Sequence, residues 1–170
     1  MSLKIFLDTE FTNFNNPKLI SLGLITEDGS KSFYAELTDS YVFADCSDFV
    51  NKRVSPLLDG EPITPPLNYF KIYAKMTTPE CREQLLQWFE RINFEIIVVN
   101  DAPSFDWVLL KELFGDHWPK NLDRKCYKIV SGSLAAEQKY QHSMIQAYKD
   151  GYRQHHALDD ATVMALCWLT

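Results

Sequence analysis

An apolar run near the start of the chain ends in two acidic residues. The stretch "KIFLDTEFT" starts at Lys4 and places Asp8 and Glu10 directly after Leu7. Because side chains two residues apart on a strand point to the same face, Asp8 and Glu10 are expected to project together. Two buried carboxylates repel each other and need a cation, a shared proton or solvent. The pattern therefore predicts a divalent-metal site or, alternatively, a strand that ends at Leu7 in a solvated turn.

Length and composition favour one globular domain. At 170 residues the chain can bury a sizeable core, and its 46% hydrophobic and 14% aromatic content excludes a disordered chain. A net charge of -6 argues against an extended basic surface that coats nucleic acid, although a compact site could still bind phosphates through metal ions. The sequence contains neither a secretory leader nor an apolar span of about 18 residues, so a cytoplasmic protein with no membrane segment is expected.

The cysteine pattern indicates neither a zinc site nor a disulfide framework. The four cysteines are widely spaced and form no C-x-x-C pair. Most of them are expected to be buried, reduced thiols. They are Cys46, Cys81, Cys126 and Cys167.

Hydrophobic periodicity predicts an α/β fold. Strands are expected at 3–8, 19–26, 31–37 and 95–100. Helices are expected at 78–92, 104–114, 133–149 and 158–169. The turn signal "EDGS" makes the first three strands an antiparallel meander, and Ser104 is the expected cap of the second helix. The stretch 38–78 predicts a short helix and a proline-rich surface loop, "EPITPPLN", and no chemistry is assigned to it.

Two more acidic clusters follow later in the chain. Asp106 lies in "SFDW", just beyond the expected strand at 95–100, where ligands bind in open α/β sheets. It could instead only complement the helix dipole. In "QHHALDDA", Asp160 shares a helical face with the apolar Met164, and His155 is expected on the preceding loop, folded over the site. The alternative is that the aspartates cap the helix and the histidines are exposed.

Taken together, these residues resemble the DEDDh exonucleases of the ribonuclease H-like fold. That family carries D-x-E on its first strand, an Asp after its fourth strand and H-x-A-x-x-D near its C-terminus. The same patterns occur here in order, as Asp8-Thr9-Glu10, Phe105-Asp106 and His155 to Asp160. The doubled "HH" and "DD" allow other registers, but only His155 with Asp160 keeps Ala157 in place. The stretches "DTEF" and "SFDWVLLKELFG" are most similar to a small bacterial and phage subgroup of 3'-5' exoribonucleases.

The chain departs from the family pattern at one position. The family commonly has Asn four residues before its third acidic ligand, where this chain has Ala102. Asn100 and Asp101 stand upstream instead, and Asp101 is a less favoured substitute for Asp106. Whether Asp101 or Asp159 shares in metal binding stays open.

The resemblance implies a fold and a mechanism. The expected fold is a ribonuclease H-like mixed sheet of about five strands, the first three antiparallel, flanked by helices, with residues 1–170 as a single 3'-5' exonuclease domain. It implies two divalent cations, Mg²⁺ or Mn²⁺, which suit an all-oxygen site. Their expected ligands are Asp8, Glu10, Asp106 and Asp160. His155 would take a proton from the attacking water, and nucleoside 5'-monophosphates would leave from a 3' end.

The substrate is expected to be nucleic acid. Single-stranded or 3'-overhang RNA is expected over DNA on the subgroup resemblance, and a homodimer is possible. Thr9, Phe11 and Phe14 are candidate substrate contacts, the phenylalanines by base stacking, although core or loop packing is equally open. A basic cluster could contact phosphates, while a solvated loop face is the ordinary explanation. The cluster comprises Lys120, Arg124, Lys125 and Lys128.

Three alternative functions stay open from the sequence. The first is a 3'-5' exodeoxyribonuclease that acts on single-stranded DNA. The second is a catalytically silent nucleic-acid-binding module of the same fold. The third is a structural or interaction protein whose acidic residues only cap helices.

Overall fold

A six-stranded mixed sheet flanked by helices forms the centre of the protein, which confirms the predicted α/β class. The computed structural model describes residues 2–62, 68, 70–130 and 133–168. The strands are β1 (Ser2–Phe11), β2 (Leu19–Thr26), β3 (Ser32–Leu37), β4 (Lys71–Met76), β5 (Glu95–Asn100) and β6 (Leu122–Lys128). The helices are α1 (Asp48–Arg53), α2 (Thr78–Glu90), α3 (Asp106–Phe114), α4 (Leu134–Lys149) and α5 (Ala157–Trp168).

The strand order across the sheet is β4-β3-β2-β1-β5-β6. β2 is antiparallel to both β1 and β3, which confirms the predicted meander, and the remaining pairs are parallel. This arrangement is compatible with a ribonuclease H-like fold. The sequence located neither of the edge strands β4 and β6. In β6, "LDRKCYK", only Leu122 is buried, so its apolar pattern is weak. β4, "KIYAKM", does alternate buried Ile72, Ala74 and Met76 with more exposed residues, but it is only six residues long and follows the proline-rich stretch.

The sheet buries apolar side chains on both of its faces. On one face, Ile5 and Leu7 of β1 belong to a buried cluster with Leu110 of α3. On the other face, Phe6 packs in a cluster with Met164 of α5. Asp8 and Glu10 continue the Phe6 row of β1, so they point toward the side of the sheet that carries α5.

α5 lies close to the sheet because β2 carries a glycine beneath its start. A Cβ added to Gly23 would lie 2.4 Å from the carbonyl carbon and oxygen of Ala157 and from the backbone nitrogen of Leu158. Any side chain there would push the N-terminus of α5 away from the sheet. Gly23 therefore fixes how near the C-terminal motif can come to β1.

The start of α3 differs from the prediction. The cap residue is Phe105 and no side chain caps this helix, so the predicted Ser104 cap is wrong. The backbone N–H groups of Phe105 and Asp106 donate instead to the carbonyl oxygen of Ala102, at 3.0 and 3.3 Å. The result is that Asp106 becomes the first helical residue. α2 does begin at a capping box, in which Glu80 accepts a 2.8 Å bond from the N–H of Thr77.

The stretch between β3 and β4 holds α1 and two short 3-10 turns, at Phe43–Asp45 and Ser55–Leu57. Val50 of α1 packs with Val54 and Ile20 in a small separate cluster. Within the predicted proline-rich loop, residues 63–67 lie outside the described residues, as does the last residue of the helix predicted at 158–169. Among the described helices, none is both long and apolar enough to cross a membrane.

The cysteines are less buried than predicted. Cys81 lies fully inside the core, on α2. The other three are partly exposed because they lie at the margins of the packed layers.

Candidate metal centre

Five carboxylates and one imidazole converge at the carboxyl end of β1. The side-chain ligand atoms of Glu10, His155 and Asp160 all lie within 4.8 Å of one another. Those of Asp8, Asp101 and Asp106 form a second such group. We call the five carboxylates the acidic site: Asp8, Glu10, Asp101, Asp106 and Asp160. The structure thus brings together the four carboxylates and the histidine that the sequence predicted, together with Asp101, whose part the sequence left open.

Asp106 is held by two buried donors. Its Oδ1 accepts a 2.5 Å hydrogen bond from the Thr9 hydroxyl, and its Oδ2 accepts one from the side-chain amide of Asn100. The same amide also reaches the carbonyl oxygen of Leu7, at 3.3 Å. Thr9, a candidate substrate contact from the sequence, is 5% exposed, and its hydroxyl is engaged with Asp106. Asn100 therefore lies where it can support the third acidic residue even though Ala102 occupies the family's Asn position.

Asp160 is held in the same way from α4 and from the loop before α5. Its Oδ1 accepts a 2.7 Å bond from the hydroxyl of Tyr148, and its Oδ2 accepts a 2.8 Å bond from the backbone N–H of His155. His155 adopts a φ of 69°, in the left-handed region. Tyr148 could not be predicted from the sequence because no motif marks a tyrosine on a neighbouring helix.

The two adjacent histidines occupy different environments. The ring of His155 is partly exposed and lies edge-on to Phe49, with the centroids 4.9 Å apart. His156 is 1% exposed and stacks on Tyr34, and its Nε2 lies 3.0 Å from the hydroxyl of Tyr73. Of the two histidines, only His155 faces the acidic site. This agrees with the alignment of His155, Ala157 and Asp160 with the pattern H-x-A-x-x-D.

The two adjacent aspartates also differ. Asp160 belongs to the acidic site, whereas Asp159 pairs with Arg153 at 2.9 Å. Nδ1 of His156 accepts a 3.3 Å bond from the backbone N–H of Asp159. Arg153 also reaches Asp59, at 2.9 Å. Asp159 and His156 thus hold the start of α5 against the rest of the fold.

Burial and mutual repulsion raise the pKa values across the acidic site. The pKa of Asp8 is raised well above its usual value, mainly by burial and further by the charges of Asp106, Asp160 and Glu10. The pKa of Glu10 is raised to about 8, mainly by burial and further by the charges of Asp160 and Asp106. Burial raises the pKa of Asp106 and of Asp160 to about 6 each, against the hydrogen bonds that those carboxylates accept. The folded chain alone therefore disfavours full ionisation of this site, and a nearby cation would favour it.

The donor set fits a hard divalent cation. Carboxylate oxygens dominate both groups, and they are the ligands that Mg²⁺ and Mn²⁺ prefer. These acidic groups could hold a metal ion, and β1 contributes one carboxylate to each group, Asp8 to one and Glu10 to the other.

Three phenylalanines lie beside the acidic site. Phe11 follows Glu10 and Phe105 precedes Asp106, and their rings stack with centroids 5.3 Å apart. Phe14 packs edge-on against both rings and is 74% exposed. The two phenylalanines singled out from the sequence therefore come together, and Phe105 joins them. Phe105 could have been predicted from the sequence, because it is the neighbour of Asp106.

The stretch 38–78 and the basic cluster also take defined places in the fold. α1, within the stretch 38–78, brings Phe49 to the ring of His155. The pKa of His155 is lowered, mainly by burial and further by the charge of Arg53 on α1. The predicted basic loop is mostly strand, because Arg124 and Lys128 lie on β6. Lys120 lies in the turn just before that strand.

Comparison with known proteins assigns no family to this chain. No protein-family model matches it, and no curated protein sequence matches it. The resemblance to the DEDDh exonucleases therefore stays a prediction, and the contacts of the acidic site are the basis for proposing a function.

Proposed function

We propose that the protein is a metal-dependent 3'-5' exoribonuclease of the DEDDh type, which hydrolyses phosphodiester bonds from the 3' end of RNA and releases nucleoside 5'-monophosphates. The observation that carries the proposal is the pair of adjoining ligand groups, one of which contains His155. A structural role in helix capping does not account for them, because Asp8 and Glu10 lie within β1 and cap no helix. Their raised pKa values also mean that the arrangement costs stability unless a cation is present.

Two cations would be held by the carboxylates alone. Asp8, Asp101 and Asp106 would hold one, and Glu10 and Asp160 the other. Two such ions, when bound, stabilise both the attacking and the leaving oxygens of an in-line phosphoryl displacement. Thr9 and Asn100 fix both oxygens of Asp106, so that this carboxylate is already oriented.

His155 would act as the general base. Its imidazole lies beside Glu10 and Asp160 and is partly exposed, so an incoming water can reach it. Burial lowers the pKa of His155, which keeps the ring neutral and able to accept a proton near pH 7. The bond from its backbone N–H to Asp160 ties the base to the carboxylate.

The aromatic rings suit a nucleic-acid substrate. Phe14 exposes most of its ring next to Phe11 and Phe105, and exposed aromatic rings stack on unpaired bases with little regard to sequence. We propose single-stranded or 3'-overhang RNA as the substrate, on the subgroup resemblance. A cytoplasmic location and a homodimer stay predictions.

The test is degradation of a 3'-overhang RNA and a matched DNA, both labelled at the 5' end, with and without Mg²⁺ or Mn²⁺. The proposal expects a ladder that shortens from the 3' end of the RNA, needs the metal, and disappears in Asp8→Ala and His155→Ala. Exposed His142 on α4 provides the matched control, His142→Ala, which should cleave like wild type. A preference for DNA would change the substrate class, and no metal-dependent cleavage of either strand would refute the proposal in favour of a silent binding module.

A further inference from the structure

Three cations lie on the edge strand β6. Arg124, Lys125 and Lys128 are all exposed, and β6 is the last strand of the sheet, so its outer edge pairs with no other strand in the described fold. Within the described residues, none of the three side chains forms an ion pair with a carboxylate. We call these three residues the basic edge.

The register of the sheet brings one end of the basic edge to the acidic site. Lys128 is the direct partner of Asn100 across the parallel β5–β6 pair. Asn100 donates its side-chain amide to Asp106, and the next residue is Asp101. Arg124 lies four residues back along β6, at most roughly 13 Å away at about 3.3 Å per residue, and less because β6 bulges between Leu122 and Cys126. The basic edge therefore starts beside the acidic site and leads away from it.

The side of the sheet that these cations occupy is also defined. Cys126 pairs with Val98 and packs against the cluster on the α3 side of the sheet. The guanidinium of Arg124 lies 5.6 Å from the ring centre of Trp118, which packs against the same cluster. Lys128, two residues beyond Cys126, points to that side too. Arg124 and Lys128 thus lie on the side of the sheet that carries α3, whose first residue is Asp106.

We propose that the basic edge binds the backbone phosphates of the single-stranded RNA whose 3' end occupies the acidic site. This inference rests on the proposed function. A chain with a net charge of -6 repels a polyanion over most of its surface, so a row of exposed cations that leads to the site is where the rest of the strand can lie. An acidic protein would meet the same charges, but the continuity of the row with the acidic site favours the substrate itself.

The test compares two double variants that remove the same charge. Arg124→Gln/Lys128→Gln alters the basic edge. Lys71→Gln/Lys111→Gln is the control, because Lys71 lies on the opposite edge strand and Lys111 in the last turn of α3, and both are exposed. The probe is a twelve-nucleotide oligouridylate RNA with a 5' fluorophore, whose binding is followed by fluorescence anisotropy at 50–300 mM KCl with Ca²⁺ in place of Mg²⁺.

The expected result is a change confined to the first variant. Affinity at a fixed salt concentration should fall about tenfold, and the slope of log affinity against log salt should shrink by about 1.4, or 0.7 for each lost phosphate contact. With Mg²⁺, kcat/KM should fall more for the twelve-nucleotide RNA than for a dinucleotide, which is too short to reach Arg124. Equal effects of the two double variants, or none, would overturn the inference. If wild type cleaves no RNA but binds the probe through the basic edge, the proposed nuclease fails while this RNA-binding surface stands.

Discussion

The backbone N–H of His155 donates a 2.8 Å hydrogen bond to Oδ2 of Asp160, five residues farther along the chain. To make this bond, His155 takes a left-handed backbone conformation with a φ of 69°. α5 begins two residues later, at Ala157. The candidate base and the candidate ligand are therefore fixed by one short loop, and they move together with the N-terminus of α5.

Replacing His155 by asparagine separates its chemical role from its backbone role. Asparagine tolerates the left-handed region but offers no basic ring nitrogen. We expect His155→Asn to lower kcat for RNA hydrolysis by about 10²- to 10⁴-fold while the free energy of unfolding changes by less than about 1 kcal/mol. Single-turnover kinetics and urea unfolding would measure the two effects. A variant that keeps wild-type kcat would remove His155 from the mechanism.

The Tyr148 hydroxyl should contribute to metal affinity. Its 2.7 Å bond orients Oδ1 of Asp160, and loss of such a supporting contact usually lowers metal affinity about 10- to 100-fold. Tyr148→Phe should therefore need more Mn²⁺ for half-maximal activity. Tyr140 on the same helix is the matched control, since its buried hydroxyl makes no hydrogen bond with any described residue. Tyr140→Phe should leave the Mn²⁺ requirement unchanged, and equal shifts in both variants would contradict this role.

The metal-free protein should lose stability as the pH rises. The pKa of Glu10 increases from an ordinary 4.5 to about 8 on folding, so the folded state binds the proton more tightly than the unfolded state. The stability from this group is complete below about pH 4.5 and is lost as the pH approaches 8. The pKa values of Asp106 and Asp160, about 6 each, act in the same direction over a narrower range. We expect the Tm in EDTA to fall by at least about 3 °C between pH 5 and pH 8.

The neutral isostere of Glu10 isolates its share of this pH dependence. Glu10→Gln cannot ionise, so its Tm in EDTA should fall less than that of wild type over the same pH interval. Excess Mn²⁺ should raise the Tm of wild type more at pH 8 than at pH 5, because binding requires the ionised carboxylates. Differential scanning calorimetry would measure both effects. A wild-type Tm that rises between pH 5 and pH 8 in EDTA would contradict the predicted loss of stability.

Gly23 should be intolerant of any side chain. Its Cβ would lie 2.4 Å from backbone atoms of Ala157 and Leu158, which cannot move without moving the start of α5. Gly23→Ala should therefore cost about 1–3 kcal/mol of unfolding free energy and strongly reduce hydrolysis. Gly29→Ala is the control, because that turn has open space around a φ of 68° and should cost about 1 kcal/mol of strain without loss of activity. Full activity in Gly23→Ala would show that α5 need not approach β2 so closely.

Much of this arrangement could be predicted from local pattern alone. Asp8 and Glu10 share a face because of the strand period, and "HHALDDA" placed His155 and Asp160 five residues apart at the start of a helix. The contacts that orient these groups depend on which elements meet in space. Tyr148 reaches Asp160 from α4, and Asn100 reaches Asp106 across the β5–α3 turn, and no periodicity in either segment signals these contacts. The edge strand β6 was missed because it buries only Leu122 and so leaves no regular apolar pattern. β4 does carry a regular alternation, with Ile72, Ala74 and Met76 buried, but it is too short for that pattern to stand out after the proline-rich stretch.

A Mn²⁺ titration of the metal-free protein by calorimetry at pH 7.5, with hydrolysis of a 5'-labelled RNA followed on the same samples, would decide whether the acidic site is a two-cation nuclease site. The two ligand groups predict two ions per chain, and hydrolysis that appears only when both are bound. Asp8→Asn should lose both the binding and the activity. Failure to bind Mn²⁺ at millimolar concentration, or hydrolysis that survives in EDTA, would contradict a two-cation nuclease site.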